Sequence, residues 1–213
     1  MLKSRIMRFL RAFVLSVIVL SGSLSGNLSG QAGGGRFEEN KRAGLAALKD
    51  GKYDRVAAKL EEVYEADSSD PVVAEALAIG YMNGDERKVD RTLDDKAQKI
   101  LARLLEKGGR AVFLVQLDLS NSFSGSSTTK FCSGPLAISP GKISFQCEKG
   151  DVKPEHSFTF ASSDIKNIGD HFDKGHGMFF IKAAKRTYNF SPASWDKRHG
   201  QMILALARQY VQP

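Results

Sequence analysis

At Gly108-Gly109 the hydrophobic rhythm of this 213-residue chain changes, from an apolar residue every third or fourth position to one every second. Side chains of a helix share a face every 3.6 residues and those of a strand every two, so one segment cannot serve both patterns. Before the glycine pair the helical period is carried by four apolar groups. They are Leu45 and Leu48; Val56, Ala57, Leu60, Val63 and Tyr64; Val72, Val73, Ala76, Leu77, Ile79 and Tyr81; and Leu93, Ala97, Ile100, Leu101, Leu104 and Leu105. After it, Ala111-Val112-Phe113-Leu114-Val115-Gln116-Leu117-Asp118-Leu119 alternates as a strand. The switch predicts an α+β chain, helices over 33–109 and antiparallel strands over 110–213, built as two separate halves.

Punctuation divides the first part into four helices. Gly33-Gly34-Gly35 reads as a flexible start, with a helix from Arg36 stopped at Lys49-Asp50-Gly51-Lys52. A second opens near Tyr53. Asp70 then caps a third with Pro71 in its first turn, and Asn83-Gly84-Asp85 breaks it. A fourth runs from about Val89 to Lys107. The stretch Gly51-Lys52-Tyr53-Asp54-Arg55-Val56-Ala57, with Leu60, Val63 and the Asp70-Pro71 pair, resembles the tetratricopeptide repeat family over residues 36–108. That resemblance implies two helix-turn-helix units whose first helices line a groove for a protein or peptide. Glu38, Lys41 and Lys49 are the residues it places there. The Asp-Pro pair comes about three residues late for the family. The second unit carries the insertion Asp85-Glu86-Arg87-Lys88 and matches only at Ala97, Leu101 and Leu104. Apolar spacing alone leaves a plain four-helix bundle open. Two repeats fall short of the roughly three that stand alone, so they must borrow packing from the β half of the chain.

The first 32 residues read as an export signal: Lys3, Arg5, Arg8 and Arg11, then the apolar run 12–20, then a Gly/Ser-rich tail with a cleavage position after Ala32. The apolar run is about half what a membrane span needs. Most of the formal charge of +7 falls away with this reading. The leader holds four basic and no acidic residues, 33–109 holds 14 basic against 16 acidic, and 110–213 holds 13 against 8. No dense basic cluster remains for nucleic acid, which is excluded as a partner.

Export permits a bridge between Cys132 and Cys147. With Pro140-Gly141 as the central turn residues, Ile138 faces Ile143, Cys132 faces Lys149 and Cys147 faces Gly134. That offset is too long for a disulfide unless a bulge shifts the register, so a bridge and two buried thiols both stay open. Further strands are expected at 157–160, around Ile165 and Ile168, and at 178–182 and 186–190. A last helix is expected from the cap Ser191 and Pro192, turning Trp195, His199, Met202, Ile203, Leu206 and Tyr210 inward. The run Cys132-x-Gly134-x-Leu136-x-Ile138-Ser139-x-x-x-Ile143-x-Phe145, with His156-x-Phe158 and Tyr188-Asn189-Phe190 before the helix, resembles the pleckstrin-homology-like superfold. The resemblance implies an antiparallel β-barrel or sandwich capped by a C-terminal helix; another small α+β barrel is the alternative. The phosphoinositide site of that superfold does not transfer, because the loop 120–130 holds only Lys130. Lys182, Lys185 and Arg186 flank a turn and offer a small basic contact to a partner or an anionic membrane surface.

No P-loop, dinucleotide fingerprint, helical zinc-protease motif or nucleophile elbow marks the chain beyond its leader. The expectation is an exported, non-enzymatic adaptor without cofactor, bound to a protein or peptide. The alternative is a small exported metal-binding protein or hydrolase using His156, His171, Asp173 and His176, weighed against the three or four convergent ligands zinc needs. His199 is expected as a core histidine.

Overall fold

The computed structural model describes residues 33–85, 90–119, 130–171, 176–184 and 186–211. The predicted leader, most of the charged insertion, the 120–129 loop, Asp173 and Lys185 lie outside these residues.

Four helices come first: α1 (Gly33–Lys49), α2 (Tyr53–Ala66), α3 (Pro71–Asn83) and α4 (Thr92–Glu106). Each packs on the next, and α1 also reaches α3. Helix α1 starts at Gly33, so the glycine run expected as a flexible start belongs to the helix. Asp70 caps α3 through the amides of Val72 and Val73, at 2.9 and 3.2 Å, with Pro71 in the first turn. Val72, expected inward, is exposed. It sits in the first turn beside the cap, while Val73, Ala76, Leu77 and Ile79 fill the buried face. Helix α4 ends in a Schellman turn. The Gly109 amide donates to the Leu104 carbonyl at 2.8 Å and that of Gly108 to Leu105 at 3.0 Å, with Gly108 at φ 77°. The left-handed backbone there suits glycine, and it turns the chain into the first strand.

Eight strands come next: β1 (Ala111–Asp118), β2 (Phe131–Ser139), β3 (Lys142–Phe145), β4 (Lys149–Gly150), β5 (Phe158–Ala161), β6 (Ile165–Asp170), β7 (Phe179–Ala183) and β8 (Arg186–Pro192). They form one antiparallel sheet in the order β5-β3-β2-β1-β8-β7-β6, with β4 on the start of β2. The sheet does not close, as no ladder joins β5 to β6. It curls enough that Phe158 of β5 and Tyr188 of β8, far apart in that order, have ring centroids 4.5 Å apart, and Phe145 and Phe190 5.4 Å.

Ile138 faces Ile143 across the turn, but Cys132 faces Gly150 rather than the expected Lys149. One extra residue on the returning side shifts the register between the two ladders, the signature of a bulge. The bulge turns Cys147 inward, and a disulfide joins it to Cys132 with their Cα atoms 5.7 Å apart.

The last helix, α5, spans Lys197–Tyr210 with Asp196 as its cap, not Ser191. Ser191 and Pro192 instead finish β8, opposite Gln116 and Val115 of β1. Sheet pairing claims them, and Trp195, expected inward, stands exposed at 49% in the connecting turn. Helix α5 packs on β2, β6, β8 and α4, while α3 and α4 pack on β1. Helices and sheet therefore share one connected apolar core.

Candidate functional site

The helical layer holds a cavity of about 300 Å³ where the α2–α3 connection meets the end of α4. Three local features shape it. Asp67 folds the connection by accepting from the Ser69 amide at 2.9 Å and its hydroxyl at 2.6 Å. Pro71 starts α3, and the Schellman turn carries the chain away at Gly108-Gly109. Tyr64, Ala74, Ile100 and Leu104 give apolar walls, and Ser68 and Ser69 a polar lip. Arg103 and Lys107 stand exposed at its edge, with no close ion pair among the described residues, although Lys107 attracts the Asp67 carboxylate at longer range. An apolar recess with two available cations suits a side chain or peptide segment that joins hydrocarbon to negative charge.

The groove residues expected from the repeat pattern lie elsewhere. The Lys41 ammonium is 2.6 Å from Asp70, tying α1 to the cap of α3. That hydrogen bond holds the Lys41 ammonium above its ordinary range. Glu38 and Lys49 are exposed on α1 and do not line the cavity.

A second polar constellation sits where α4 meets α5. His199 and Asp94 are both buried, with Nε2 2.8 Å from the carboxylate Oδ1. The Ser194 hydroxyl lies 2.7 Å from Nδ1. A neutral imidazole facing a carboxylate keeps its proton on that side, which leaves Nδ1 to accept from Ser194. Such a chain could in principle activate a hydroxyl. The adjoining cleft, however, is lined by Asp94 and not by Ser194. The other Asp94 oxygen, Oδ2, is buried and accepts no hydrogen bond from a described residue. Arg198 and Arg91 approach it only to 3.6 and 3.9 Å. Sequence reasoning missed Asp94, although its spacing to Ala97, Leu101 and Leu104 puts a carboxylate on the apolar stripe of α4.

The histidines proposed for a metal occupy separate local settings. Nδ1 of His156 lies 2.6 Å from the Asp151 carbonyl, His171 leans on Phe180, and His176 meets Trp195 edge-on. Among the described residues no three His, Cys, Asp or Glu groups converge as a metal set. Lys182 and Arg186 are exposed on the β7–β8 hairpin. Among the described residues no helix is long and apolar enough to cross a membrane. No protein-family model matches the chain, and no curated protein matches it in sequence.

Proposed function

We propose that the chain is an exported adaptor that holds a protein or peptide through its helical layer, with the sheet and α5 as a second docking face. The α2–α3–α4 cavity carries this reading, because it joins apolar walls to Arg103 and Lys107. Two helix-turn-helix pairs with an Asp-Pro start to α3 support a tetratricopeptide-like layer. The β5-β3-β2-β1-β8-β7-β6 order, with one packed helix after it, supports a pleckstrin-homology-like second half. The basic, then apolar, then small-residue leader supports export.

The test is a crosslinking pull-down with residues 33–213 and with the double variant Arg103→Glu/Lys107→Glu. Both positions are exposed, so the variant keeps the fold, which circular dichroism checks. A partner crosslinked at the cavity and lost in the variant is the expected result. An unchanged set of captured proteins would remove the cavity as the docking site.

A further inference from the structure

The cleft between α4 and α5 lies at the opposite end of α4 from that cavity and has the opposite charge. It encloses about 270 Å³. Asp94 and Asp95 supply two carboxylates against the single guanidinium of Arg198, which leaves the wall negative. Gln98 and Gln201 add amide groups, and Met202 and Ala205 an apolar side.

Asp94 sets the chemistry. Its side chain is 3% exposed, and Oδ1 is committed to His199. Among the described residues Oδ2 has no hydrogen-bond donor, a costly state for a buried carboxylate oxygen. The nearest cations among the described residues do not relieve it. Arg91 binds Asp196 at 2.6 Å, and the Arg198 side chain is 54% exposed and stands 3.6 Å from Oδ2. A ligand that brings a donor therefore gains at Oδ2 and can displace Arg198 toward water.

We infer that this cleft takes a primary alkylammonium, the side chain of a lysine on a partner chain. A guanidinium favours both oxygens of one carboxylate, and here one is already taken. An ammonium is a compact charge with three donors. It can spend them separately on Oδ2 of Asp94, on Asp95 and on an amide carbonyl of Gln98 or Gln201. The methylene stem of a lysine lies along apolar surface while its head stays among polar groups, and Met202 and Ala205 provide that surface.

The test titrates the full chain, labelled with ¹³C at the methionine methyls, with Nα-acetyl-lysine methylamide. The arms are the uncharged norleucine and the arginine analogues. The Met202 methyl, assigned with Met202→Leu, should shift saturably with the lysine probe and at least about tenfold more weakly with either analogue. Asp95→Asn, at an exposed position, should weaken the lysine probe several-fold without disturbing the Asp94–His199 pair. Ala205→Trp, also exposed, should fill the cleft and abolish the shift. Equal response to norleucine or arginine, or a shift that survives Ala205→Trp, would overturn the assignment.

Discussion

Asp70 does two things with one carboxylate. It caps α3, with Pro71 in the first turn, through the Val72 and Val73 amides, and it holds Lys41 of α1 at 2.6 Å. Burial alone would raise its titration, but the Lys41 hydrogen bond and the amides of Val73 and Val72 outweigh that and bring it below the ordinary carboxylate range. That depression sets the sign of the pH dependence. A carboxyl depressed in the folded state adds stability above its unfolded value, near 3.9, and loses it as pH falls through the lower folded one. Asp70→Ala should thus cost about 1–2 kcal/mol at neutral pH. The gap to wild type should begin to narrow near about pH 4, where the unfolded carboxyl takes up its proton, and close further at lower pH as the native one does. Urea unfolding at neutral and acid pH reads both, and a gap that stays constant into acid would contradict the Lys41 contact. This residue was legible in sequence because a cap and its helix are neighbours. His199 was legible as a core histidine, but its pairing with Asp94 was not, since 105 positions separate them and only the fold brings them together.

Among the elements, turn chemistry carried the β2–β3 hairpin. Pro140-Gly141, with Gly141 at φ 72°, places Ile138 against Ile143. The bulge beyond β3 stayed an open alternative in sequence because a residue outside the hairpin stabilises it. The Gln146 and Glu148 amides still pair with Pro135 and Ser133, at 3.1 and 2.9 Å, while the Cys147 amide donates to the Ser157 hydroxyl at 2.9 Å. The same kind of competition misplaced the start of α5. Ser191-Pro192 reads as the cap in sequence, but pairing of β8 with β1 claims both residues and the helix is capped by Asp196 instead. The disulfide at the bulge spans 15 positions. Restricting an unfolded loop of that size is worth about 3 kcal/mol. A Cys132→Ala/Cys147→Ala variant should lose about 2–4 kcal/mol in urea. Reductant should bring wild type toward the same midpoint and leave the variant unmoved. A variant as stable as wild type would mean that the bridge holds nothing the sheet does not already hold.

At the scale of the molecule, the change of rhythm at Gly108-Gly109 marks a change of element, α4 ending at Glu106 and β1 opening at Ala111. It does not mark a gap in packing. Several ties cross it: the apolar contact of α3 and α4 with β1 and of α4 with α5, the Arg110 guanidinium on both oxygens of Glu75 at 2.7 and 3.0 Å, Arg91 on Asp196, Arg198 beside Asp94, and the buried Asp94–His199 pair. The expectation of two separately built halves reads each half's own period correctly, while helices and sheet share one apolar core that includes Leu101 and Ala111, both at 0% exposure. The four-helix layer gains its further neighbours from α5 and β1. Far-ultraviolet dichroism, dominated by the helices, and fluorescence of Trp195, beside the sheet, should therefore report one shared urea transition. His199→Ala lies in the second half but strips the buried Asp94 of its partner, at a cost of about 3–5 kcal/mol. Both probes should move together by that amount. If the fluorescence midpoint falls while the helical signal stays in place, the halves unfold independently, and the shared core does not couple them.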